Sequence, residues 1–89
     1  MEKFVQLHPM DTIVIALRNY EANTIITVNG VDIKLKGAID FGHKIAIKSI
    51  KKKDKILKYG LSIGSATQEI SPGEHVHSHN METDYLMSL

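Results

Sequence analysis

Apolar and polar residues alternate in short runs along this chain, with turn residues between the runs. Val31, Ile33 and Leu35 are apolar and Asp32, Lys34 and Lys36 polar, so an extended strand here buries one face and wets the other. The segment Thr24 to Val28 precedes it across Asn29-Gly30. Asn-Gly is a strong hairpin signal, because a type I′ turn needs positive φ at both central residues. Ile45 to Ile50 alternates again, while Thr12 to Leu17 is a continuous apolar run that reads as a strand buried on both faces. Lys51-Lys52-Lys53-Asp54-Lys55 is a polar loop, and Gly60 and Gly64 mark bends or close backbone approaches. No segment has the periodicity of a long amphipathic helix; short helical turns fit only near Asp40 to His43 and Glu69 to Pro72. No internal repeat stands out. The pattern predicts an all-β domain of short strands.

The bulk numbers narrow this. Eighty-nine residues make one domain, 1–89, near the lower size at which a chain supports its own core. With no cysteine, the chain has no disulfide, thiolate metal site or thiol nucleophile, which fits a cytoplasmic protein. The start, Met1-Glu2-Lys3-Phe4, does not resemble a signal peptide, and the apolar runs fall far short of the roughly 20 residues that span a bilayer. A net charge of +1 gives no reason to expect nucleic acid or a membrane as partner. The aromatic residues are Phe4, Phe41, Tyr20, Tyr59 and Tyr85, so the core must be aliphatic. So thin a core makes a covering partner, a second copy or another chain, a reasonable expectation.

The candidate chemistry centres on Gly73-Glu74-His75-Val76-His77-Ser78-His79-Asn80, delivered by the Ser71-Pro72-Gly73 turn. On an extended strand His75, His77 and His79 would stand in one row, with alternate Cβ atoms about 6.5–7 Å apart. Neutral imidazoles at that spacing can share a divalent metal, with a further ligand from His43, Glu74 or a partner chain. The plainer alternative is a polar edge strand. Gly42-His43-Lys44 suits a carboxylate or hydroxyl, or is a solvated turn. Gly64-Ser65-Ala66-Thr67 could present backbone N–H groups to an anion, or mark a packing corner. The lysine run reads as a solvated loop, and Asp11 as the start of the next strand.

Taken in order, His8-Pro9-x-Asp11, the apolar strand, Gly42-His43-Lys44-Ile45-Ala46, Lys58-Tyr59-Gly60-x-x-Ile63-Gly64-x-Ala66-Thr67 and Ile70-x-x-Gly73-x-x-Val76-His77-x-His79-Asn80 resemble the N-terminal domain of the altronate/galactarate dehydratase family. The resemblance runs from about Leu7 to Asn80. It implies a SAF domain with the β-clip fold, shared with type III antifreeze proteins and the C-terminal domain of sialic acid synthases, with a core at 7–80 and a tail at 81–89. Because the chain stops soon after His79-Asn80, it is most similar to a stand-alone small subunit that works with a large catalytic one.

The family implies elimination of water from a sugar acid, assisted by a divalent metal such as Fe2+. Such chemistry needs a cation at the carboxylate, a base for the α-proton and an acid for the leaving group. The resemblance assigns His43 and Lys44 to catalysis, Ser65, Thr67 and Asn80 to substrate, and His75, His77 and His79 to metal. A sulfolactate sulfo-lyase alpha subunit is the alternative within the family. Outside enzymology, the alternatives are a carbohydrate-binding or assembly module and an inert oligomerisation domain.

Overall fold

The computed structural model describes residues 3–83, all of them strand, turn or loop. Nine strands follow in order: β1 (Phe4–Val5), β2 (Ile13–Ala16), β3 (Ile25–Val28), β4 (Val31–Lys34), β5 (Lys44–Ala46), β6 (Lys55–Lys58), β7 (Leu61–Ala66), β8 (His75–Val76) and β9 (Met81–Glu82). They form an antiparallel four-stranded sheet β1-β2-β5-β8, the hairpin β3-β4 and a three-stranded sheet β6-β7-β9. β1 and β9 both lie outside the 7–80 span. Of the tail set at 81–89, residues 84–89 and with them Tyr85 lie outside the described residues.

The hairpin turn is as expected, with φ of 52° at Asn29 and 80° at Gly30. Its arms bury Ile26, Val28, Ile33 and Leu35, but Val31, although paired with Val28, is 60% exposed. The apolar run at 12–17 narrows to Ile13–Ala16, with Leu17 43% exposed. The run at 45–50 is a strand only as far as Ala46, after which Ile50 makes an isolated bridge to Ile70.

The chain does contain a repeat. Residues 20–46 run bridge, turn, hairpin, bridge, turn, strand, and residues 50–76 run through the same sequence. Left-handed residues recur in step: Asn23 and Lys53 (70° and 76°), Asn29 and Tyr59 (52° and 61°), Gly42 and Gly73 (85° and 93°). The offset is 30 through the hairpin turn and 31 at the glycines. The extra residue comes from a β-bulge, where Ile56 faces Gly64 but Leu57 faces Ser62. Each unit packs into its own core, to which the preceding strands also contribute. Val14, Ala16, Ile26, Val28, Ile33, Leu35, Ile39 and Ile45 form one buried cluster, and Ile13, Ala46, Ile50, Ile56, Ala66, Ile70 and Val76 the other.

Two tight approaches join the parts. Gly73 donates to the Ala46 carbonyl and accepts from Lys36, and a Cβ there would collide with the Lys34 carbonyl. A Cβ on Gly64 would run into the Glu82 carbonyl, so β9 can close on β7 only over a glycine. The third join is Asp11, which is fully buried. Its two carboxylate oxygens accept the backbone N–H groups of Tyr59 at 2.8 Å and Gly60 at 2.7 Å. His8-Pro9 makes the turn that aims it, since the Asp11 N–H bonds the His8 carbonyl at 2.9 Å.

Asp11→Asn puts an amide N–H₂ against one of those donors, and should cost about 2–4 kcal/mol, as for a charge-assisted bond lost in a buried site. Urea unfolding measures it; a loss under about 1 kcal/mol would show that the carboxylate is not a structural tie.

Candidate functional site

The histidine segment is not a strand carrying a row of rings. β8 ends at Val76, and His77 to Asn80 form a bend and turn. Asn80 is the cause. Its side chain is fully buried, accepts the His77 N–H at 2.9 Å and donates to the His75 carbonyl at 2.8 Å. Its backbone N–H and that of Met81 both bond the His77 carbonyl, and its own carbonyl takes the Thr67 N–H at 2.9 Å. The segment therefore curls back over itself and is anchored to the end of β7.

The curl gathers the imidazoles more closely than a strand would. His75 lies 5.4 Å from His77 and 5.6 Å from His79, centroid to centroid. His43 completes the group, 4.9 Å from His75 and 5.5 Å from His77. It is brought there by the Gly42 turn and by pairing of β5 with β8, where Ile45 faces His75. His43 Nδ1 and His75 Nε2 are 2.8 Å apart, so one ring donates and the other accepts. His43 and His75 are half-buried, while His77 and His79 are open to solvent. Burial, then the neighbouring His43, His77 and His79, hold the His75 pKa below its ordinary 6.5, against a smaller upward pull from Asp40.

Neutral imidazoles are the protonation state a divalent metal needs, so the donor chemistry of the cluster fits such an ion. The geometry is not yet a metal centre. Among the described residues, no three His, Asp or Glu groups converge on one point, and the closest ring pair is engaged in its own hydrogen bond.

The other expected residues fall elsewhere. Lys44 follows His43 directly, and strand alternation sends the two side chains to opposite faces of the sheet. Lys44 stands beside Val76 and faces Lys58, whose charge, after burial, lowers its pKa from 10.5. Lys58 enters the sequence reading only as part of the Lys58-Tyr59-Gly60 motif, with no role of its own. Ser65 sits on β7, facing Lys55 on one side and Glu82 on the other, and its hydroxyl accepts from the Lys55 amine at 3.3 Å. Thr67 touches the histidine turn through its backbone N–H. Asn80 spends both ends of its amide on shaping that turn.

A family model described as the altronate/galactarate dehydratase SAF domain matches residues 2–84. The chain belongs to this family. Its all-β architecture is that of a SAF β-clip domain. The domain is 45% identical over 84 residues to an altronate dehydratase of Bacillus subtilis, an alignment covering 94% of this chain and 17% of that protein. It is 34% identical over 82 residues to the altronate dehydratase of Escherichia coli, covering 92% of this chain and again 17% of the relative. Against the alpha subunit of (2R)-sulfolactate sulfo-lyase from Chromohalobacter salexigens the identity is 36% over 76 residues, covering 79% of this chain and 81% of that subunit. The SAF domain thus spans 17% of the length of these two dehydratases, and matches most of a relative in which it is a separate subunit. Its described residues include no helix long and apolar enough to cross a membrane.

The lowered pKa of His75 has a consequence for metal-free SAF domain held in chelator. Above 6.5 the residue is neutral folded and unfolded, so it imposes no penalty. As pH falls below 6.5 the unfolded chain takes up the proton first, and stability drops until the lower folded pKa is passed. The urea midpoint should be lower at pH 5 than at pH 7.5, and His75→Gln should flatten that dependence. An equal slope in the variant would assign the pH effect to other groups.

Proposed function

We propose that this SAF domain is the small component of a sugar-acid lyase of the altronate dehydratase type, acting with a large catalytic chain to eliminate water from a hydroxy acid. The observation that carries the reading is the cluster of His43, His75, His77 and His79, built from two segments and turned outward at His77 and His79. A folding core does not require four imidazoles in contact. Their incomplete convergence supports a site finished by another chain, and Phe41, 65% exposed beside the Gly42-His43 turn, gives that chain an apolar contact. The relatives support the same division, since this domain is a small part of the dehydratases and a separate subunit in the sulfo-lyase.

In this reading His75, His77 and His79 hold a divalent metal, of which Fe2+ is the expected one, together with groups from the large chain. The metal supplies a positive charge at the carboxylate of the substrate, which stabilises the charge that builds up as the α-proton leaves. With His75 Nε2–H donating to His43 Nδ1, the hydrogen bond leaves His75 Nδ1 with the lone pair a metal would need. Altronate and sulfolactate are both hydroxy acids, and cleavage of sulfolactate is the second reading, favoured by the 81% coverage of the sulfo-lyase subunit.

Co-expression with a large dehydratase-type chain, followed by assay of altronate dehydration and of sulfite release from sulfolactate, separates the two. The variant carrying His77→Ala and His79→Ala should lose about 100-fold or more in turnover while the two chains still co-purify. Unchanged turnover in that variant would sink the role of the cluster.

A further inference from the structure

Carried back over the strands that precede each unit, the 30-residue offset sets Lys44 of β5 against Val14 of β2, and Lys58 of β6 against Val28 of β3. Those valines are 0% and 5% exposed and belong to one buried cluster. At the later positions both residues are half-buried lysines. Both stand on the side of their strands that carries the second buried cluster. Lys44 shares its side of the sheet with Val76, Lys58 shares its side of β6 with Ile56, and Val76 and Ile56 pack in the same cluster. Partial burial of two adjacent like charges is unfavourable, and a domain that needed only packing here would keep the valines. Among the described residues no carboxylate answers either amine, and Lys44 is held below 10.5 by burial and by Lys58. Tyr59 and Leu61, next to Lys58 and 67% and 69% exposed, leave this edge open to solvent.

We infer that Lys44 and Lys58 form a binding site for a carboxylate group, on the opposite face of β5 from the histidine cluster. A carboxylate between two ammonium groups removes their repulsion and offers lone pairs to both. Two sources share that chemistry: a free hydroxy acid, and an Asp or Glu side chain of a docked catalytic chain. Neither requires the histidine cluster to act in an elimination, so the site stands or falls separately from it.

The test uses the intact chain. Gluconate and a capped glutamate peptide are titrated at fixed ionic strength while the ε-methylene NMR signals of Lys44, Lys58 and the exposed Lys52 are followed. Saturable shifts are expected at Lys44 and Lys58 with little change at Lys52, and at least tenfold weaker binding in Lys44→Val. Valine stands at the matching position of β2, so the variant should remain folded. Lys58→Val should also raise the Lys44 amine pKa towards 10.5. Shifts no larger than those of Lys52, or a Lys44 amine unmoved by Lys58→Val, overturn the site. In an assembled enzyme the source follows: a higher KM with intact assembly marks the substrate, and assembly weakened tenfold at unchanged KM marks a side chain of the catalytic chain.

Discussion

Asp11 brings a full negative charge into the interior of a domain whose strands are two to six residues long, and it is kept there by two backbone N–H groups from the far hairpin. An unpaired buried carboxylate would be far more costly than the bonds are worth, so the carboxylate holds the Tyr59-Gly60 turn in one place. The ring of His8 lies against Gly60, where a Cβ would sit 3.0 Å from it, and closes the same junction from outside. With the turn fixed, β6 lies alongside the start of β2, where the Thr12 N–H bonds the Leu57 carbonyl. Lys58, beside that turn, is then close enough for its charge to act on Lys44.

The two units share a backbone and differ in what they do with it. The strand leading into the first carries the buried Ile13 and Val14, and its hairpin the buried Val28. In the approach to the second the corresponding residues are His43 and Lys44, and in its hairpin Lys58. Ile26 and Ile56, Ile39 and Ile70, and Ala16 and Ala46 keep their identity because each is buried in its unit's core. The polar chemistry of the domain is concentrated where the second copy has given up apolar packing.

Much of this was legible in the residues. Alternation gave short strands and no helix, Asn29-Gly30 gave a hairpin with the right φ signs, and the spacing of the histidines marked a cluster. Two differences have physical causes. Period-two spacing cannot distinguish a strand from a turn closed by one buried amide, so the expected histidine row is a curl. His43 and Lys44 are adjacent in sequence, and a pleated strand sends neighbouring side chains to opposite faces. The repeat was missed because a bulge shifts its register from 30 to 31 and because lysines occupy core positions in one copy. Matching glycines at 30 and 60 and at 42 and 73 were the available signal.

The pairing of β5 with β8 also governs the order in which the molecule can assemble. His43 and His75 are separated by 32 positions, and the chain between them includes the whole β6-β7 hairpin. Their contact can form only after that loop is closed, and closing it costs entropy that grows with the logarithm of its length. The pairings of β2 with β5 and of β5 with β8 join residues far apart in sequence, and such non-local contacts slow folding. During synthesis the first hairpin can form as soon as it emerges. The imidazole cluster has to wait until Asn80 has left the ribosome, so a nascent chain carries its histidines separately and can gather them only at the last step of folding.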